Sequence, residues 1–125
     1  MIKALILVFL GGGLGTVLRF LIGKLTLSYS SIQLPLATFI ANLISCLLLA
    51  FVLYIFQAKS EVDAKMINLF LVIGFCGGLS TFSTFSLETF ELLKSGFVVP
   101  AILNILFSVA MGLGSLYFVF LRANQ

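Results

Sequence analysis

Four long apolar stretches restrict what this sequence can fold into. Each has about the 20 residues that an α-helix needs to cross the hydrocarbon core of a bilayer. The stretches cover about residues 4–25, 35–56, 66–93 and 98–121. Only 9% of the 125 residues are charged and the mean hydropathy is +1.29, whereas soluble domains carry about 25% charged residues. The sequence therefore predicts an all-α integral membrane protein with a single four-helix transmembrane domain, residues 1–125.

Short polar segments are predicted to connect these helices. Residues 24–34 contain three serines and a glutamine, residues 57–65 contain four charged side chains, and residues 94–96 turn the chain. None of these connections has the length of a soluble domain. Function is therefore predicted to lie in or beside the bilayer.

The composition argues against several functional classes. The sequence has no histidine, which is the usual general base and the commonest transition-metal ligand, so no catalytic residue is predicted and an enzyme is disfavoured. The seven basic residues are dispersed, whereas nucleic-acid binding requires a basic patch. Cys46 and Cys76 lie in apolar stretches without a CxxC pattern, and are interpreted as small buried apolar residues.

One segment of the third apolar stretch is poor material for a regular helix. It runs from Gly74 to Glu88, with adjacent glycines at 77 and 78 and five Ser/Thr among the seven residues 80–86. Glycine loosens the backbone, and hydroxyl groups offer it competing hydrogen bonds. Non-helical chain persists inside a bilayer only where protein buries it or where it lines a polar route. We therefore expect a helix broken near the bilayer midplane that binds or conducts a small polar species.

The first stretch carries a repeat of small residues interrupted by a charge. Gly11, Gly15, Arg19 and Gly23 recur every four residues and share one helix face. The glycines are predicted to let a neighbouring helix approach closely. Arg19 has two interpretations, because a guanidinium inside a membrane either reaches for the interface or faces inward near an ion entrance.

Polar residues also recur in the second and fourth stretches. Thr38, Asn42 and Ser45 share a face of the second, and the Asn42 amide either holds helices together or donates to a passing anion. The stripe on the fourth stretch either packs helices or continues a polar route. It consists of Asn104, Ser108, Gly112 and Ser115.

The basic residues give little preference for one orientation in the membrane. One side of the predicted bundle would hold Lys3, Lys59, Lys65 and Arg122, and the other Lys24 and Lys94, with Arg19 as a possible third. Orientation normally follows a clear Lys/Arg asymmetry. We therefore predict that the chain inserts both ways and forms an antiparallel, dual-topology homodimer. A dimer interface also supplies space for a pathway that the filled centre of one four-helix bundle lacks.

Two phenylalanines stand among the hydroxyl groups of the interrupted segment. Phe82 and Phe85 are three residues apart, so both lie on one face of a helix. Packing is the ordinary role of such a pair, but ring edges carry partial positive charge and attract anions. Asn42, Thr84 and Ser108 would add neutral donors, and unwound carbonyls from two copies would suit a hard cation. These residues indicate a narrow anion pathway and leave the anion open.

Three motifs resemble those of the Fluc/CrcB fluoride channels. The segment 74–88, GFCGGLSTFSTFSLE, closely resembles the third-helix motif of that family. Residues 11–20, GGGLGTVLRF, and 37–42, ATFIAN, resemble its first- and second-helix motifs. The resemblance covers nearly the whole chain. It implies a four-span protein of the cell inner membrane that forms inverted dimers with two pores and lets fluoride leave the cytoplasm passively, which lowers fluoride toxicity.

The resemblance also implies roles for individual residues. Phe82 and Phe85 would line the fluoride pathway, with Asn42 as a nearby amide donor and Arg19 at the pore entrance. The backbone carbonyls of Gly77 and Ser80, two from each subunit, would hold a central sodium ion. The polar track of the family is matched by Ser83, Thr84, Glu88 and Ser108.

The chain departs from the family pattern at three positions. Ala37 and Ser45 stand where glycine is frequent, and Asn104 stands where tyrosine is expected, so local packing and the outer end of the track are expected to differ. Two other functions fit four small spans: a proton-coupled multidrug antiporter and a structural subunit that packs helices. The antiporter needs a membrane-embedded carboxylate, and spans one, two and four contain none.

Overall fold

The computed structural model describes residues 1–29, 35–56 and 61–123, and these are almost entirely helical. The helices are α1 (Ile2–Tyr29), α2 (Leu36–Phe56), α3 (Glu61–Ile67), the π-helical segment π1 (Asn68–Cys76), α4 (Gly77–Leu79), α5 (Phe82–Lys94) and α6 (Val98–Ala123). Four stretches are long and apolar enough to cross a membrane: Ile2–Thr26, Leu36–Ile55, Ala64–Lys94 and Val98–Leu121. The prediction of an all-α protein with four helices long and apolar enough to span a membrane is confirmed.

Two predicted connections are partly helical. α1 continues to Tyr29. The hydroxyl of Thr26 donates to the Ile22 carbonyl at 2.7 Å, so this polar side chain is satisfied within the helix. Likewise, α3 begins at Glu61, within the segment 57–65 that was predicted to be a connection. The rest of these connections, residues 30–34 and 57–60, lies outside the described residues.

The turn predicted at residues 94–96 is confirmed. Gly96 has φ +82°, a conformation that glycine adopts without steric cost. The Phe97 N–H donates to the Leu92 carbonyl and the Gly96 N–H donates to the Leu93 carbonyl. These two bonds form the Schellman motif that ends α5.

The third crossing is made of several segments in sequence. The helices α3, π1 and α4 follow one another, and α5 starts after Ser80 and Thr81. Ser80 has φ −75°, ψ 155° and Thr81 has φ −151°, ψ 118°, so both are extended. The glycines at 77 and 78, which suggested the interruption, are helical. The π-helical segment has no counterpart in the sequence-based prediction.

α1 lies directly against this crossing, backbone to backbone. A Cβ on Gly11 would overlap the carbonyl oxygen of Phe70, and a Cβ on Gly15 would overlap that of Phe75. The prediction that these glycines permit close packing is confirmed. Among the described residues, no atom from another part of the chain lies within 4 Å of where the Gly23 Cβ would stand, so packing against them does not explain this glycine.

Few large side chains are buried inside one chain. Among the residues whose burial the structure describes, the fully buried apolar ones are Ala41, Ala50, Leu79 and Ala101, while large side chains cover the outside of all four crossings. Small residues at helix interfaces and large ones outside are typical of helices that pack inside lipid.

Candidate functional site

Asn42 of α2 pairs with the extended residue Thr81. The Asn42 Oδ1 accepts from the Thr81 N–H at 2.7 Å, and its Nδ2 donates to the Thr81 carbonyl at 3.3 Å. A residue outside a helix needs such partners inside a membrane, where water does not supply them. Of the two interpretations of Asn42, the contact between helices is therefore present. A carboxamide has two N–H groups, so the second remains for another acceptor.

The hydroxyl of Thr81 forms the N-cap of α5. The Thr84 N–H donates to Thr81 Oγ1 at 3.3 Å, and the Thr81 hydroxyl donates to Thr84 Oγ1 at 3.0 Å. The Ser83 hydroxyl lies 3.3 Å from Thr81 Oγ1. The predicted polar-track residues Ser83 and Thr84 thus lie together in the first turn of α5. The sequence analysis missed the role of Thr81, although a threonine directly before a helix is a recognisable capping signal.

Phe82 and Phe85 are neighbours on α5, as their spacing predicts. Their ring centroids are 6.0 Å apart and the planes are inclined by 38°, within the range of an aromatic pair. Phe85 is half-buried, whereas Phe82 is 80% exposed. The exposed ring therefore stands at the surface of the single chain, next to the break.

A small cavity between α2 and α6 contains an unsatisfied hydroxyl. Its volume is about 20 Å³, and Asn42 and Ser108 are two of its lining residues. The Ser108 Oγ is buried and has no hydrogen-bond partner within the described residues. The other lining residues are Phe39, Leu43, Cys46, Met111 and Gly112. A cavity of this volume accommodates one water molecule, and a buried hydroxyl calls for a partner of that kind.

Glu88 lies one turn after Phe85 and contacts α2. The Thr38 hydroxyl donates to Glu88 Oε1 at 2.8 Å. Its second oxygen, Oε2, is buried and has no partner within the part of the chain that the structure describes. The polar stripe on α2 thus faces the third crossing along its whole length, because Thr38 reaches Glu88, Asn42 reaches Thr81, and Ser45 donates to the Cys76 carbonyl at 2.9 Å. Ser45 thereby joins α2 to the end of π1.

The break releases the two carbonyls that were predicted to hold sodium. In a continuous helix the Thr81 N–H would bond to the Gly77 carbonyl, but here it bonds to Asn42. Similarly, the Thr84 N–H bonds to the Thr81 hydroxyl, whereas a continuous helix would pair it with the Ser80 carbonyl. Both oxygens are hard ligands of the kind that a sodium ion accepts. A carbonyl oxygen has two lone pairs, so the Ser80 oxygen keeps one for the ion beside its bond from Arg19.

Side chains of α1 donate to the carbonyls of Gly78 and Ser80. Arg19 Nη1 donates to the Ser80 carbonyl at 3.4 Å, and the Thr16 hydroxyl donates to the Gly78 carbonyl at 3.5 Å. Arg19 is half-buried, so its guanidinium faces the third crossing. The inward-facing interpretation of Arg19 is the one that this geometry supports.

The polar residues of α6 do not form one continuous row of contacts, because each has a different partner or surrounding. Asn104 Nδ2 donates to the hydroxyl of Thr89 at 2.9 Å, and that hydroxyl donates to the Phe85 carbonyl at 2.7 Å. Ser115 bonds to the carbonyl of Gly112 in its own helix, while Ser108 faces the cavity. Thr89, which the sequence analysis did not single out, therefore joins α6 to the turn that carries Phe85.

Comparison with known proteins assigns this arrangement to a family. Residues 6–120 match the family model described as CrcB-like protein, Camphor Resistance (CrcB). The chain belongs to the CrcB family. The match includes every residue of the site described above.

Curated relatives of this CrcB chain are similar to it over most of their length. A fluoride-specific ion channel FluC from Phocaeicola vulgatus is 40% identical over 111 residues, which are 89% of this chain and 90% of the relative. A FluC from Azobacteroides pseudotrichonymphae is 37% identical over 90% of this chain and 89% of its own length. FluC 1 of Yersinia pseudotuberculosis is 37% identical over 100% of this chain and 97% of its own.

Proposed function

We propose that this CrcB protein is a fluoride-selective, passive ion channel of the cell inner membrane that lowers the fluoride concentration of the cytoplasm. The observation that carries the proposal is the cavity of about 20 Å³ between Asn42 and the unpartnered hydroxyl of Ser108. Fluoride and water are nearly the same size, and a hydroxyl and an amide N–H are donors for an anion. The names of the curated relatives, fluoride-specific ion channels, support this choice of anion.

Neutral donors suit an anion that has to leave again. Conduction requires binding that is strong enough to replace hydration but weak enough for release. The Asn42 amide and the hydroxyls of Ser83, Thr84 and Ser108 provide donors without a full charge. The edges of Phe82 and Phe85 would add partial positive charge along the route. Arg19, whose guanidinium donates to the Ser80 carbonyl, would raise the local potential for anions beside the break.

A second, inverted copy would complete the pathway. Phe82, Ser83 and Thr84 are exposed on the single chain, and hydroxyl groups facing lipid are unfavourable. An antiparallel partner that covers this surface would enclose the two rings and the hydroxyls, and two-fold symmetry would give two pores per dimer. Gly77, whose Cβ position has no neighbour within 4 Å from other parts of the described chain, leaves room for the partner to approach.

The break would then lie near the middle of the bilayer. Ser80 lies 16 residues after Ala64 and 14 before Lys94, the ends of the third span. At that depth, the released carbonyls of Gly77 and Ser80 from both copies would surround one central sodium ion. A bound cation would offset their partial negative charge close to the two anion routes.

Reconstitution tests the proposed function. Vesicles that contain the purified protein and are loaded with fluoride should release it down its gradient, as followed with a fluoride electrode, while chloride-loaded vesicles should not release chloride. Ser108→Ala removes the unpartnered hydroxyl at little cost in volume and should slow fluoride release, whereas Ser115→Ala removes a hydroxyl that bonds within α6 and should not. Release that depends on a proton gradient, or equal release of chloride, would contradict a fluoride channel.

A further inference from the structure

The cavity beside Ser108 is also lined by two sulfur-containing side chains. Cys46 comes from α2 and Met111 from α6, so the two approach from opposite walls. The Cys46 Sγ lies against α6, since a Cβ placed on Gly112 would be 3.5 Å from it. The thiol is therefore directed across the helix interface at the residue that follows Met111. The pathway proposed above uses neither sulfur atom.

Thiolate and thioether are ligands for soft cations. Together they favour monovalent d10 ions such as Cu(I) and, by the same softness, Ag(I), which accept two ligands. Binding would replace the thiol proton: Cys46–SH and Ag⁺ give Cys46–S–Ag and H⁺, and the proton leaves to water without any change of oxidation state. The charges of thiolate and cation cancel, so the complex adds no net charge in a membrane interior that disfavours charge.

We propose that this cavity is a binding site for a soft monovalent cation, held by the Cys46 thiolate and the Met111 thioether. The cavity volume of about 20 Å³ allows one water-sized occupant. A cation at this position and an anion at Asn42 and Ser108 therefore exclude each other. As a consequence that rests on the proposed function, an occupied site closes the fluoride pathway of that subunit.

Silver binding to the purified protein in chloride-free detergent solution tests the site directly. After incubation with silver nitrate and gel filtration, we expect one silver per chain by elemental analysis. Loss of a direct ligand in Cys46→Ala or Met111→Leu should lower the affinity at least about tenfold, since even outer-sphere changes cost that much. Cys46→Ser should lose silver as well, because its hydroxyl is a hard ligand. Since serine is similar in size to cysteine, the cavity should keep its shape.

Two matched controls separate this site from other sulfur atoms. Cys76 is 4% exposed and Met66 is 50% exposed, and neither lines the cavity. Cys76→Ala and Met66→Leu should therefore retain one silver per chain at unchanged affinity. Undiminished binding to Cys46→Ala or Met111→Leu would overturn the site, as would loss of binding in Cys76→Ala.

Fluoride efflux tests the consequence for transport. Silver fluoride is soluble, so the assay runs in nitrate medium without precipitation. Silver should slow efflux through the unmodified protein and through Cys76→Ala, each relative to its own untreated rate, and should leave Cys46→Ala unaffected. If silver binds at Cys46 while efflux continues unchanged, the inference that an occupied site closes the pathway is wrong. If the untreated protein releases no fluoride, the proposed function fails, and the binding measurement still decides the cation site.

Discussion

Asn42 satisfies both backbone groups of Thr81, with Oδ1 at 2.7 Å from the Thr81 nitrogen and Nδ2 at 3.3 Å from its carbonyl oxygen. The side-chain amide thus supplies the two backbone hydrogen bonds that an extended residue would otherwise lack inside a membrane. The same amide lines the cavity that contains the Ser108 hydroxyl. Asn42 therefore connects the shape of the broken crossing with the chemistry of the proposed pathway.

Asn42→Asp should impair both roles. The carboxylate retains an acceptor for the Thr81 N–H but loses the donor to its carbonyl and adds a negative charge beside the anion. Loss of a buried hydrogen-bond partner costs about 1–3 kcal/mol of stability. Because the new negative charge also opposes an anion in the pathway, fluoride efflux should fall severalfold or more. Asn68→Asp, an exposed position on π1, is the control and should keep normal efflux. Normal flux in Asn42→Asp would exclude this amide from the pathway.

The aromatic pair gives a second prediction. Phe82→Ile and Phe85→Ile keep apolar bulk but remove the ring edge, so fluoride efflux should fall severalfold in each variant. Phe82 is 80% exposed in the single chain, so its replacement should leave thermal unfolding of the chain nearly unchanged. Phe90→Ile changes another exposed phenylalanine of α5 and should conduct normally. Efflux that is equal in all three variants would remove the rings from the mechanism.

The contact between α1 and π1 predicts a large difference between two neighbouring glycines. An alanine at Gly11 would overlap the Phe70 carbonyl, a backbone group that has little freedom to move. The Cβ position at Gly13 has no neighbour within 4 Å from other parts of the described chain. Gly11→Ala should lower the free energy of unfolding by about 1–3 kcal/mol. Gly13→Ala should be neutral or slightly stabilising, because alanine is the better helix former. The unfolding midpoint in detergent measures both, and equal midpoints would contradict this packing.

Hydrophobicity and residue spacing predicted the features of this protein that depend only on residues close together in the sequence. The four spans follow from apolar length, and the pairing of Phe82 with Phe85 follows from helix geometry. The grouping of Thr38, Asn42 and Ser45 on one face of α2 also follows from that geometry. The glycines of α1 indicated close packing correctly at two positions and not at Gly23.

Features that depend on contacts between crossings were harder to predict. The extended residues are Ser80 and Thr81 rather than the glycines before them, because a Cβ on Gly78 would overlap the Gly12 carbonyl and the glycine serves packing there. The bond of Asn104 to Thr89 links residues on different helices, and no local spacing indicates it. The π-helical segment likewise has no local signal in an apolar run.

The released carbonyls of Gly77 and Ser80 predict that assembly depends on sodium. Replacing Na⁺ by N-methylglucamine during purification should shift the protein from dimer to monomer at equal concentration, because carbonyls from two copies would then approach without a cation between them. Gel filtration with light scattering measures the ratio, and restoring Na⁺ serves as the control. A dimer fraction that is unchanged when Na⁺ is replaced by N-methylglucamine would contradict the carbonyl site.

The weak charge asymmetry predicts that copies insert in both orientations. A single cysteine at Ser95, in a background of Cys46→Ala and Cys76→Ala, places a label on the exposed turn before α6 without altering the basic residues. A membrane-impermeant maleimide should label about half of the copies in intact cells and the remainder only after permeabilisation. Labelling of all copies from one side would contradict an inverted dimer.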